Sequence, residues 1–409
     1  MFNHISYVDE LLFCQQMWLE KNGDAGWDPY DIYGSPFGKL FTSGNSIVHK
    51  AGRYGLHLVD NFAPLLTRKI LMITPQINAK GMGLFASSAI LLNDFIAQQS
   101  SHKHYLNWLL DNAWKRKDRM GWGYPFDWQS KVFIEKGTPT VVNSAIIGDA
   151  FWRAYIATKQ KSYLDVCESI CRFIMQDLNR SAPNPDGSFC FSYTPIDNME
   201  VHNANLFGAE FLIRIGSYLG EEQWVSTGTK AANFSINQIM NDGTLNYFSD
   251  DQALCMQQDT YHAGFEIRAL AKIGTILQDK TITAAALKYF QAWKQDYFWG
   301  SGRPCFIRGV NDELEVHSLA ESLICPAQML ELNLIERDEY LSIVQPIIEN
   351  SLSELWKKTN GDGGYFMNNK NTKTGSFKDI SYIRWGQAWM FFALTWTKTL
   401  LNEQKNEIV

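Results

Sequence analysis

The sequence predicts an all-α chain folded as a closed ring of six helical hairpins, an (α/α)6 toroid, with short strands confined to the loops at one end. Two observations carry this expectation. A Gly-containing turn with aromatic neighbours recurs along the chain, and after each turn a helix apolar on nearly every side is followed by one with a single wet face. The turn occurs as Gly121-Trp122-Gly123-Tyr124, Asp186-Gly187-Ser188-Phe189, Asp242-Gly243-Thr244-Leu245, Ser301-Gly302-Arg303-Pro304 and Asp362-Gly363-Gly364-Tyr365. These lie roughly 55 to 65 residues apart, room for two helices and a loop and longer than the common solenoid repeats.

A helix apolar all round is buried on both faces, as an inner-ring helix is. Such helices are expected to begin near Thr140, His202, Asp259, Val316 and Ile383, with an earlier one near Gly81. Between them, Ser162 to Leu178, Glu221 to Met240, Thr281 to Phe298 and Glu336 to Trp356 alternate apolar and charged residues at helical period, as outer helices do. With the Gly81 to Arg116 pair the hairpins number six, which closes a ring without an edge. A stack of TPR-like hairpins is the structural alternative, and its shorter repeat and lack of long aromatic loops count against it.

The 409 residues exceed the usual domain length. The repeat nevertheless argues for one domain over 1–409, with 1–80 as an N-terminal extension packed on the ring. Met1 to Glu20 reads as a short amphipathic helix, because it lacks the basic segment and cleavage site of a signal peptide. Trp385 to Leu401 contains Gln387, Lys398 and several Thr, which favours a buried helix over a membrane span.

At 45% hydrophobic and 20% charged residues the chain is ordinary for a globular protein. A formal charge of −6 and a pI near 5.8, with no basic stripe, exclude a nucleic-acid backbone as partner and give no support to recruitment by a charged membrane. Seven Cys without C-x-x-C spacing read as reduced buried thiols, Cys167 and Cys171 one helical turn apart. A cytoplasmic protein without a metal site is expected. No D-x-D-D, G-x-x-x-x-G-K-[ST], H-E-x-x-H or G-x-S-x-G occurs, so cofactor-free chemistry is the simplest expectation.

In a toroid the Gly-turn loops and the N-termini of the inner helices share one end, where orphan N–H groups favour anionic or hydroxyl-rich ligands. The residues gathered at those starts are Asp127 with Trp122, Tyr124 and Trp128; His202, Asn203 and Asn205; Asp259, Tyr261 and His262; Glu315, His317 and Glu321; and Asp379, Tyr382, Arg384, Trp385 and Gln387. The 14 Trp and 17 Tyr add flat faces that suit sugar rings, although packing between helices is the plainer role for most of them. For each His taken alone the plainer role is hydrogen bonding at a helix start, and for Asp259 it is an N-cap. Asp250-Asp251 reads as a solvated loop.

Hydrolysis of a glycosidic bond is the first reading and a uronic-acid lyase or epimerase the alternative; hydrolysis needs two carboxylic groups about 5 to 10 Å apart, for which Asp127 and Asp259 are the first pair and Glu315, Glu321 and Asp379 the reserves. Elimination or epimerisation at a uronic acid needs a Tyr or His base and cationic or amide groups on the carboxylate, which Tyr261, His262, His202, Asn203 and Arg384 offer. His317 joins the catalytic candidates. Trp122, Tyr124, Trp128, Asn203, Asn205, Glu315, Tyr382, Trp385 and Gln387 are the substrate-binding candidates. Trp122, Tyr124, Asp127, His202, Asp259, Tyr261, His262, His317 and Arg384 are expected to line one cleft. A non-catalytic glycan-binding or scaffold protein is the third reading.

Several longer segments carry a resemblance: Ile77-Asn78-Ala79-Lys80-Gly81-Met82-Gly83-Leu84, Trp122-Gly123-Tyr124-Pro125-Phe126-Asp127-Trp128-Gln129, Gly137-Thr138-Pro139-Thr140, Val201-His202-Asn203-Ala204-Asn205, Tyr261-His262-Ala263-Gly264-Phe265, His317-Ser318 and Arg384-Trp385-Gly386-Gln387-Ala388-Trp389, with Trp27-Asp28-Pro29-Tyr30-Asp31 near the N-terminus. Together they resemble a bacterial family encoded among surface-polysaccharide biosynthesis genes, similar in architecture to the six-hairpin glycosidase superfamily. The resemblance spans nearly the whole chain and implies sugar chemistry: hydrolase, lyase or epimerase action on a surface polysaccharide or its precursor. Association with polysaccharide-assembly enzymes is a further expectation. The resemblance brings no catalytic residues with it.

Overall fold

The structure is a computed structural model that describes residues 3–44, 46–92, 102–249, 258–300 and 302–406. Asp250-Asp251 and Ser301 of the turn motif lie outside these residues. The helices, in chain order, are α1 His4–Asn22, α2 Lys39–Thr42, α3 Ile47–Phe62, α4 Pro64–Ile70, α5 Ala79–Leu91, α6 His102–Asp111, α7 Val141–Thr158, α8 Lys161–Asp177, α9 His202–Leu219, α10 Glu222–Ile236, α11 Thr260–Leu277, α12 Lys280–Asp296, α13 Val316–Glu331, α14 Arg337–Asn350, α15 Leu352–Leu355 and α16 Trp389–Asn406. Strands among the described residues are two or three residues long and lie in the loops.

Helices α5, α7, α9, α11, α13 and α16 form the inner ring, each packed on its neighbours, and α16 returns to α5 to close it. Helices α6, α8, α10, α12 and α14 pack outside their inner partners. Among the described residues it is α1 that packs along the inner helix α16, in the place an outer helix takes elsewhere in the ring. The outermost ends of the chain thus meet in one hairpin.

Each inner helix is small-residue-rich because it is enclosed. In α11, Gly264 faces α13 so closely that an added Cβ would meet Glu321 Cγ at 2.4 Å. Inner helices start on side-chain caps: Asn78 for α5, Thr140 for α7, Asp259 for α11 and Glu315 for α13 each accept from a backbone N–H of the first turn. Three of them end on a residue in the left-handed region, Lys159, Gly220 and Gln278, which turns the chain at once into the outer helix. The core is one cluster running from Val8 to Leu401. No helix among the described residues is long and apolar enough to cross a membrane.

The last inner helix begins differently. Ile383–Ala388 forms a π-helical turn before α16, with Gln387 N–H donating to Tyr382 O at 3.0 Å. The wider turn opens the helix where Arg384 and Trp385 leave it, and such turns recur at functional sites. Ile383 N–H donates to Trp27 O, which ties the N-terminal segment to this turn.

Candidate functional site

At the end of the ring where the inner helices begin lies a cavity of about 690 Å³. Its wall includes Tyr124, Trp128, Asn203, Tyr261, His262, His317, Arg384 and Trp385, together with Tyr30, Lys80, Tyr193 and Tyr247. Four of the nine residues expected to share one cleft do not line it: Trp122, Asp127, His202 and Asp259.

One side of the cavity is cationic and phenolic. The tight loop before α7 positions Tyr124: at Gly123 a Cβ would meet Thr138 O at 2.3 Å, so only glycine lets the two loop strands approach. Tyr124 stacks on Phe126 with ring centroids 5.4 Å apart. Lys80, in the first turn of α5, donates to the Tyr124 hydroxyl at 3.1 Å, and that hydroxyl lies 3.4 Å from the hydroxyl of Tyr193. Burial opposes ionisation of Tyr124, but Lys80 and Arg384 outweigh it and hold the phenol below its ordinary range. Burial likewise pushes Lys80 down.

Arg384 lies with its guanidinium carbon 5.1 Å from the Tyr124 ring centroid and 5.0 Å from that of Trp385. Its Nε and Nη2 donate to the two carboxylate oxygens of Asp28 at 2.6 and 2.7 Å. Asp28 also accepts from Tyr30 N–H. The segment after α1 therefore aims a residue of the last inner helix.

The other side carries the imidazoles. Asp259 caps α11 through Oδ1, which accepts from His262 N–H at 2.8 Å, while its Oδ2 lies 2.7 Å from His262 Nδ1. The cap and the catalytic candidate are thus one device: the carboxylate fixes the imidazole and leaves Nε2 as the other nitrogen. Tyr261 stands between the two histidines, its ring centroid 4.3 Å from His262 and 4.2 Å from His317. His317 is stacked between Tyr261 and Trp389, and neither of its ring nitrogens has a hydrogen-bond partner among the described residues. Burial, with Lys80 and Arg384 nearby, holds His317 well below the ordinary histidine range, so it is neutral near pH 7. Asn203 Oδ1 is also buried and unpaired at the cavity wall. Unsatisfied polar atoms of this kind are costly unless a ligand or water meets them.

The remaining sequence candidates have partners elsewhere. Asp127 is bonded to Lys39 Nζ at 2.9 Å and to Lys136 N–H at 2.8 Å. Trp122 is core, donating to Leu109 O at 2.9 Å and stacking on Phe151. His202 Nδ1 pairs with Ser235 Oγ at 3.0 Å, and burial pushes its pKa down to about 4. Asn205 holds Phe191 N–H, Ala231 O and Ser235 Oγ. Glu315 accepts from His317 N–H, Ser318 N–H and Trp385 Nε1, and burial raises it to about 7. Tyr382 sits behind Arg384 against Arg68 and Asp60. Gln387 bonds Phe366 N–H and O. Of the reserves, Glu321 is paired with Arg268 at 2.7 Å and Asp379 with Lys357 and Tyr365.

The sequence reading did not nominate Lys80, Tyr193, Tyr247 and Tyr30 for the site. A signal was present for the middle two: each lies four to six residues beyond a Gly turn, Tyr193 after Gly187 and Tyr247 after Gly243, in the loops that face the cavity.

The comparisons bear on the fold. No protein-family model matches the sequence, and no curated protein matches it. Solved structures do. A sugar epimerase from a ruminal bacterium superposes with a TM-score of 0.63 at 12% identity, over 98% of this chain and 99% of that one. The fold is the (α/α)6 toroid. A polysaccharide lyase superposes with a TM-score of 0.57 at 9% identity, over 98% of both chains. A GH76 α-mannanase from Bacteroides thetaiotaomicron reaches 0.55 at 14% identity, over 80% of this chain and 87% of that one.

Proposed function

We propose that the protein is a carbohydrate-active enzyme that abstracts a proton from the carbon next to the carboxylate of a uronic-acid residue and then epimerises or eliminates there. The make-up of the cavity wall carries this reading. Three imidazoles, two lysines, two arginines and several phenols meet in it, and among the described residues no Asp or Glu lines it. General acid/base hydrolysis needs two carboxylic groups facing the glycosidic bond. Asp127 and Asp259 are engaged by Lys39 and His262 instead.

Proton abstraction beside a carboxylate needs a base at the carbon and positive charge against the developing enediolate. In this reading His262, with Nδ1 directed to Asp259, takes the proton on Nε2. Lys80 and Arg384 receive the sugar carboxylate and stabilise the charge that spreads onto it. Tyr124, held by Lys80 and low in pKa, returns a proton to the sugar or passes one to the leaving oxygen. His317 and Asn203 meet sugar hydroxyls, and Trp128 and Trp385 supply flat faces for the ring. An epimerase and a lyase among the structural neighbours support the class of reaction. A cytoplasmic place beside the enzymes that assemble a bacterial surface polysaccharide belongs to the same proposal and rests on the motif resemblance.

The test is incubation with uronate-containing oligosaccharides and polysaccharides. An unsaturated uronate detected by ultraviolet absorbance marks elimination, and altered C5 configuration without new chain ends marks epimerisation. Saturated new reducing ends as the sole product mark hydrolysis and contradict the proposal.

A further inference from the structure

Residues 36–80 differ in charge from the chain as a whole. They contain Lys39, Lys50, Arg53, Arg68, Lys69 and Lys80 against one acid, Asp60, in a protein whose formal charge is −6. Asp60 is 1% exposed and is locked to Arg68 and Lys378, so no carboxylate from this segment reaches the surface. Lys50 and Lys69 are exposed.

The same segment carries an apolar face that nothing among the described residues covers. On α3, Ile47, Val48, Val59 and Phe62 are exposed, and on α4, which follows directly at Pro64, so are Leu66 and Ile70. Ile47 is 83% and Phe62 93% exposed, values that leave these side chains almost entirely in solvent. Val48 and Val59 lie about three helical turns apart, hence on one face. Single exposed apolar side chains are ordinary, but a set of this size on two consecutive helices marks an interaction surface. The other face of α3 contributes Arg53, Tyr54 and His57 to the cavity wall, and Lys50, exposed and one turn after Ile47, stands at the rim between that wall and the apolar surface.

We propose that α3 and α4 dock on an anionic lipid bilayer, lying in the interfacial plane with the apolar face among the acyl chains and Lys50 and Lys69 at headgroup level. Charge selects this occupant over a second copy of the chain. Two such faces meeting about a two-fold axis bring basic side chains together with no exposed acid from either segment to pair them. Docking sets the mouth of the cavity beside the membrane surface, whatever reaction the cavity performs.

The experiment is flotation of the full chain with vesicles of phosphatidylcholine alone or mixed with phosphatidylglycerol, at low and high salt. The chain is expected to float with the mixed vesicles, less so in high salt. The Phe62→Glu, Leu66→Glu double variant is expected to lose about tenfold in partitioning, with its circular dichroism melting curve unchanged because both side chains are exposed. Lys50→Glu with Lys69→Glu is expected to weaken binding to the mixed vesicles alone. Absence of flotation with either vesicle overturns the proposal. So does a dimer, measured by light scattering, that Phe62→Glu dissociates.

Discussion

Arg384 is gripped by Asp28 across 356 residues of sequence, through two bonds of 2.6 and 2.7 Å between side chains that are 1% and 5% exposed. A buried pair of this geometry holds only while both charges are present, because either one alone is left without solvent. Asp28→Ala is therefore expected to lower the unfolding free energy by about 3–5 kcal/mol in a urea titration. The double variant Asp28→Ala, Arg384→Met, which removes both charges, is expected to recover part of that loss. Equal destabilisation by the single and double variants counts against the pair as described.

Asp259 performs two tasks that substitution separates. Asparagine is as good an N-cap as aspartate, so Asp259→Asn is expected to change stability by less than about 1 kcal/mol. It removes the negative charge beside His262 Nδ1, and turnover on a uronate substrate is expected to fall by about a hundredfold or more. Turnover near the wild-type value would make Asp259 a cap and nothing else.

Glu266 gives the protein a pH dependence of known sign. It is buried in α11, accepts from Gln258 Nε2 at 2.7 Å and Tyr289 OH at 2.8 Å, and burial raises its pKa from 4.5 to about 8. The native state therefore holds this proton more tightly than the unfolded chain does. Its contribution to stability is greatest below pH 4.5 and declines as pH rises toward 8. Glu266→Gln is expected to flatten the fall in Tm across that window, and an unchanged slope would show that the group does not titrate there.

The pairing of Lys80 with Tyr124 is open to spectroscopy. Lys80 and Arg384 hold the Tyr124 phenol down against burial, so Lys80→Met is expected to raise the midpoint of its ultraviolet titration. Subtracting the spectrum of Tyr124→Phe isolates that phenol from the other tyrosines. A midpoint that does not move places the source of the shift elsewhere.

The ring was legible because it is built from local periodicity. The apolar run that begins near His202 and the wet-faced run from Ser162 each announce their layer within a few turns, and α9 and α8 begin at His202 and Lys161. What closes the ring was not legible. The packing of α1 along α16 and the grip of Asp28 on Arg384 are contacts between chain ends, and no period in the sequence encodes them. The same limit shaped the site. His202 is the first residue of α9 and His262 the third of α11, so the two side chains leave their helices in different directions: Ser235 on α10 engages the first, while Asp259 orients the second into the cavity. The apolar face of α3 was readable as amphipathic spacing, but only the three-dimensional arrangement shows that nothing among the described residues covers it.

The proposed reaction has His262 move a proton at the carbon beside a sugar carboxylate. It is tested most directly by incubating a uronate oligosaccharide with the protein in deuterium oxide and following the C5 position by nuclear magnetic resonance. The wild-type protein is expected to replace the C5 proton with deuterium or remove it in elimination, and His262→Ala, folded by circular dichroism, to do neither. A C5 proton that survives while glycosidic bonds are cleaved, or exchange that persists undiminished in His262→Ala, would contradict it.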